Sequence, residues 1–133
     1  MKKKILIFLS IILSILVLAS IFYFVDKNSN RLVLKCTYTT NVIDIGRLNT
    51  YELGISDKLL FIDIKNATIN NRDWQPRKNI TVDIDKDYID FEEGKTLTHI
   101  DRVLGEYLET EEKEGRLYTS TGKCEEFNYK KRF

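Results

Sequence analysis

The chain has 133 residues, a formal charge of +1, 43% hydrophobic residues, one Pro and two Cys. That length suits one small domain, and seven Tyr, seven Phe and one Trp exclude a chain disordered throughout. A single His beside two Cys leaves little material for a zinc site.

Lys2, Lys3 and Lys4 precede an uncharged run from Ile5 to Val25, 21 residues with only three Ser. As a helix this run is roughly 30 Å long, the thickness of a bilayer's hydrocarbon core. Ser10, Ser14 and Ser20 can bond back to carbonyls of the preceding turn. Phe22, Tyr23 and Phe24 cluster at its far end, where an aromatic belt would lie. Two readings are open: an uncleaved signal anchor, or a signal peptide cut after Ala19 with Val17 at the −3 position. The anchor is favoured because the run exceeds a usual h-region of about 7–15 residues. Cleavage would also leave an apolar new terminus, Ser20-Ile21-Phe22-Tyr23. No Cys near the end of the run supports a lipoprotein, and no other segment reads as a helical partner that would bury the run in a core. The lysines should stay in the cytoplasm, so the rest of the chain is exported. Without those three lysines, 18 basic residues face 20 acidic ones, a net charge of −2. Nucleic acid is therefore not expected as a partner.

Asp26–Arg31 is a short polar tether. Alternation then replaces helical periodicity. Leu32–Thr40 is rich in β-formers, Leu59–Ile64 follows a polar stretch, and Ile80, Val82 and Ile84 share one strand face. Tyr88–Phe91, Leu97–Leu104, Gly105–Thr110 and Arg116–Thr121 read as further strands separated by charged or Gly-containing turns. The pattern predicts an all-β fold, an antiparallel meander of about six or seven strands forming a curled sheet or small barrel. Helix is the weaker alternative at Asn41–Arg47 and Leu104–Lys113. The domains are therefore 1–25 (transmembrane anchor), 26–31 (tether), 32–127 (exported β-domain) and 128–133 (basic tail). In that tail Lys130, Lys131 and Arg132 would suit anionic headgroups or simple solvation.

Cys36 and Cys124 flank most of the exported part, and in an oxidising compartment such a pair is most simply a disulfide. Neither has a second Cys or His nearby in sequence, which argues against a redox or metal pair. Asp83, Asp85 and Asp87 open like a calcium loop, but Tyr88 and Gly94 stand where its Gly and Glu should be. No metal site is expected beyond a weak option at Asp87 and Asp90. His99 lacks a nucleophile or metal partner at known spacing and reads as a structural or surface residue. No phosphate loop or catalytic signature occurs, so neither catalysis nor a cofactor is expected. The triplets at Asn66 and Asn79 fit the N-glycosylation pattern, which is common by chance. The most distinctive connection runs from Asn70 to Asn79. It holds the only Trp and the only Pro, and it places Arg72, Arg77 and Lys78 around Trp74. Aromatic–arginine clusters of this kind serve as protein-binding hot spots. The bland alternative is a Trp folded over one end of the barrel with Arg stacked on it.

Ile100–Tyr107 together with Gly122-Lys123-Cys124 resembles a pattern in small exported, membrane-anchored bacterial β-proteins closed by one terminal disulfide. In size, address and disulfide use these are similar to the envelope lysozyme inhibitors, whose inhibitory loop motifs have no counterpart here. The resemblance implies a single-pass protein of the bacterial cytoplasmic membrane with its N-terminus inside. The function expected is a protein-binding module of inhibitor, immunity or exclusion type, engaging an envelope protein through Arg72, Trp74, Arg77 and Lys78. The alternatives are an accessory subunit of an envelope complex that assembles through Ile5–Val25, and, far behind, an enzyme.

Overall fold

The computed structural model describes the backbone of residues 1–128 and the side chains of 1–22 and 30–128. The predicted basic tail at Lys130, Lys131 and Arg132 lies outside the described residues, as do the side chains of Tyr23 and Phe24. The described residues form two compact units, one ending at Arg31 and the other beginning at Leu32.

The first unit is helix α1, Lys2–Ser29, so much of the expected tether is helical. Its apolar span Lys2–Phe22 has 21 residues, none of them buried. Ser14 Oγ donates to the Ser10 carbonyl at 2.9 Å and Ser20 Oγ to the Leu16 carbonyl at 2.6 Å, so both hydroxyls are satisfied inside the helix. Such a helix serves as signal anchor or signal peptide, and beside a disulfide it suggests export.

Among the described residues, the regular structure of the second unit is all strand. Its elements are β1 (Arg31–Asp44), β2 (Asn49–Asp63), β3 (Thr68–Asn70), β4 (Ile80–Ile84), β5 (Tyr88–Glu93), β6 (Thr96–Asp101), β7 (Glu106–Lys113) and β8 (Arg116–Glu126). The antiparallel order β3-β2-β1-β8-β7-β6-β5-β4 curls into a nearly closed barrel. Its two ends meet where Asn70 bridges Pro76 and the Arg77 amide donates to the Ile69 carbonyl at 2.9 Å.

Among the described residues there are eight strands, not six or seven. The three residues of β3 are too few to show a period, and β2 begins ten residues before the apolar run at Leu59. Neither weak helix forms. Asn41–Asp44 stays in β1, paired with Arg116–Thr119 of β8, and the Asp44 carboxylate then accepts the Gly46 and Arg47 amides to start the turn. Leu108–Lys113, for all its Glu and Lys, is paired along β8 and in part along β6, and that ladder overrides helix propensity. The strand expected over Leu97–Leu104 stops at Asp101, whose carboxylate accepts the Val103 and Leu104 amides at 2.8 Å each. These bonds hold the Asp101 carboxyl below the usual range.

Inward-facing residues fill the barrel. Leu34, Cys36, Leu60, Ile62, Ile69, Ile89, Phe91, Ile100 and Tyr107 form the buried cluster, with Leu32, Tyr38, Ile80, Val82, Ile84 and Cys124 packed against it. The Cys36–Cys124 disulfide joins directly opposed residues of β1 and β8, with Cα atoms 4.0 Å apart. It ties the first strand of the barrel to the last, as the sequence predicts. Two residues away, Gly122 lies opposite both Tyr38 and Tyr107, whose rings pack 5.3 Å apart. A Cβ there would meet the Thr37 carbonyl oxygen at 1.9 Å, so only glycine fits between these strands.

Candidate functional site

The connection from Asn71 to Asn79 covers the outer side of β2. Phe61 is buried although it alternates with the inward Leu60 and Ile62, because the Trp74 ring packs edge-on against it at 5.6 Å. Trp74 is therefore half-buried and does not project freely. Its backbone has a φ of 64°, a left-handed conformation that is rare for a bulky side chain. Local bonds hold it there. The Trp74 amide donates to the Asn71 carbonyl at 2.9 Å, the Asn71 amide to the Gln75 carbonyl at 2.8 Å, and the Asn70 side-chain amide to the Trp74 carbonyl at 3.2 Å. Asn70 is itself buried and accepts from Thr68 Oγ1 at 2.7 Å. The connection is thus preset by its own backbone bonds and by the Asn70 side chain at the end of β3.

The four residues singled out in the sequence play different parts. Arg77 pairs with Glu93 of β5 at 2.5 Å, which fastens the connection to the barrel. Arg72 and Lys78 are exposed. Arg72, but not Lys78, lines a crevice of about 650 Å³ together with Lys35, Asp57, Lys58, Phe61, Arg77 and Phe127, among others. Its lining carries the aromatic rings of Phe61 and Phe127 and four cations, of which Lys58 and Arg77 are paired with Glu109 and Glu93, beside Asp57.

Inside the barrel is a polar cluster that the sequence reading missed. Glu109 Oε2 accepts from Lys58 Nζ at 2.5 Å, from the Tyr107 hydroxyl at 2.6 Å and from Thr98 Oγ1 at 3.0 Å. Lys58 Nζ also lies 4.9 Å from the Tyr107 ring centroid and 5.5 Å from that of Tyr38. Burial pushes the Glu109 carboxyl up, but the bonds from Lys58 and Tyr107 and the Lys58 charge outweigh it and hold it below its usual range. Burial, then the bond to Glu109, pushes the Tyr107 hydroxyl far up. The available signal was register: Lys58 lies two residues before Leu60, and Glu109 two after Tyr107, so both take inward positions.

On the outer face, His99 Nδ1 contacts Asp90 Oδ1, its direct cross-strand partner, and Tyr88 stacks on the imidazole at 6.2 Å. Asp87 lies in the β4–β5 turn, where its carbonyl accepts the Arg102 amide at 2.9 Å. Among the described residues, no group of three or more His, Cys, Asp or Glu is placed to hold a metal ion.

The chain matches no protein-family model, no curated protein and no solved structure. The resemblance of Ile100–Tyr107 and Gly122–Cys124 therefore leads to no identified family. What stands is a small, barrel-like β-protein with an N-terminal apolar helix and one disulfide.

Proposed function

We propose that the chain is a membrane-anchored, exported binding module that engages an acidic segment of another envelope protein and carries out no catalysis. In this reading α1 stays uncleaved, with Lys2–Lys4 in the cytoplasm and the barrel on the opposite side. The observation that carries the proposal is the preset connection Asn71–Asn79 above its crevice. A Trp at positive φ, fixed by buried Asn70, is backbone strain of the kind that persists where a surface must be held in one shape. Holding that shape before contact avoids an ordering cost at binding. With Arg77 paired to Glu93, Arg72 and Lys78 against Asp73 leave the connection with a net positive charge on a domain that is net negative. Charge complementarity would then select the partner and speed its encounter.

The test is affinity capture with the full oxidised chain in lipid nanodiscs, exposed to extract of its own envelope. The comparison is a charge-reversed variant, Arg72→Glu with Lys78→Glu. Both residues are exposed, so melting should be unchanged. A protein retained by the parent and lost from the variant is the expected result. Equal retention by both, or none by either, would refute the proposal.

A further inference from the structure

Strand β2 is paired with β3 only at Phe61–Asp63. Over residues 49–60 no strand lies along that side among the described residues, so a long row of backbone donors and acceptors faces outward. Strand edges of this kind are normally kept short or guarded by Lys, Pro or charge. The opposite end of the sheet follows that rule. β4 has only five residues, Asp83 projects from it, and Pro76 and Arg77 close the approach. The β2 edge is guarded only by the charges of Glu52 and Asp57 and is far longer. Tyr51-Glu52-Leu53-Gly54-Ile55-Ser56-Asp57 is exposed throughout and contains neither Lys nor Pro. Tyr51, Leu53 and Ile55 alternate along it at 43%, 44% and 77% exposure.

Gly54 stands at the middle of this segment. Its φ is not left-handed, and a Cβ added there would meet nothing within 4 Å. Nothing within the chain requires glycine at this position, although glycine weakens a strand. A mid-strand glycine without an internal reason fits close approach by another backbone. The sequence around it is also self-complementary in antiparallel register. If Gly54 faces its own copy, Leu53 faces Ile55, Glu52 faces Ser56 and Tyr51 faces Asp57. Both Leu53–Ile55 pairs then fall on one face, and no like charges are opposed.

We infer that β2 is a self-association edge: two copies of this chain pair antiparallel through residues 51–57 about a two-fold axis at Gly54. Such an interface is isologous and joins two barrels into a continuous sheet. It uses neither Arg72 nor Lys78, so its failure and that of the acidic-partner reading are separable.

Cysteine cross-linking of the full chain in nanodiscs tests it. Both native cysteines are tied to each other, so one new cysteine gives one free thiol. Opposed residues of an antiparallel pair have Cα atoms about 4.5–5.5 Å apart, within disulfide reach. Under mild oxidation Gly54→Cys should form covalent dimers at least tenfold faster than Glu52→Cys. A mixture of Glu52→Cys and Ser56→Cys chains should give a mixed dimer, which carries the test if Gly54→Cys fails to fold. Equal rates for Gly54→Cys and Glu52→Cys would point to association through the helix or random collision and overturn the register. No dimer from either arrangement would overturn self-association. A monomeric purified chain that cross-links in cells to a different protein would assign the edge to a foreign strand instead.

Discussion

Replacing Glu109 by Gln removes one charge from the barrel interior while keeping the side chain's shape. The side chains of Lys58 and Glu109 are only 27% and 19% exposed. Breaking an exposed ion pair costs about 0–1 kcal/mol, and stranding one charge of a buried pair about 3–5. This pair lies between, and the Tyr107 and Thr98 hydroxyls retain an acceptor in Gln, so about 2 kcal/mol is expected. For a domain of this size that lowers Tm by roughly 8–16 °C. The only Trp, Trp74, packs against Phe61, so its fluorescence reports barrel unfolding. Adding Lys58→Met removes the stranded ammonium and should recover at least half of the loss. The pH dependence has a definite sign. The folded carboxyl is held below its usual value, so its contribution is fully present above about pH 5 and is lost as pH falls through and below the ordinary carboxylate range. Glu109→Gln should therefore flatten the acid limb of the stability curve. A loss under about 0.5 kcal/mol, an additive double variant or an unchanged acid limb would refute this account of the cluster.

The other expectations concern packing. Gly122→Ala forces a methyl group against the backbone of Thr37 and Tyr38, at contacts of 1.9 and 2.7 Å, and should cost about 3 kcal/mol by chemical denaturation. Replacing Cys36 and Cys124 together by Ala opens a bond spanning 88 residues and should cost about 4 kcal/mol, seen as a lower urea midpoint. Trp74→Ala uncovers Phe61 and should cost about 2 kcal/mol, roughly half the value for a fully buried Trp. Lost binding in that variant would thus mix stability with contact, whereas Arg72→Glu with Lys78→Glu tests contact alone.

The strands were legible where alternation met a turn signal. Ile80–Ile84, Tyr88–Phe91 and Arg116–Thr121 lie in strands because each pairs apolar spacing with a flanking Gly, Asp or Lys. The disulfide was legible from the count and placement of Cys36 and Cys124 alone. The first half of β2 was not, because exposed Asn49–Asp57 has no buried face to impose a period. Lys58 and Glu109 were missed because a polar residue in a strand is read as facing solvent, and only their mutual pairing makes inward positions tenable. The connection Asn70–Asn79 was legible as unusual, but not its internal arrangement. The cover that Trp74 gives Phe61 and the Arg77–Glu93 bridge are contacts between segments that one sequence does not place together.

Export is the premise on which both the binding surface and the edge depend, and thiol state with topology in living cells tests it most directly. Intact cells carrying the full chain with a C-terminal epitope would be treated with a maleimide, and separately with an impermeant protease after any outer barrier is opened. The account predicts that Cys36 and Cys124 react only after reduction and that the protease removes the epitope. Two free thiols and a protected epitope would place the barrel in the reducing cytoplasm and contradict it.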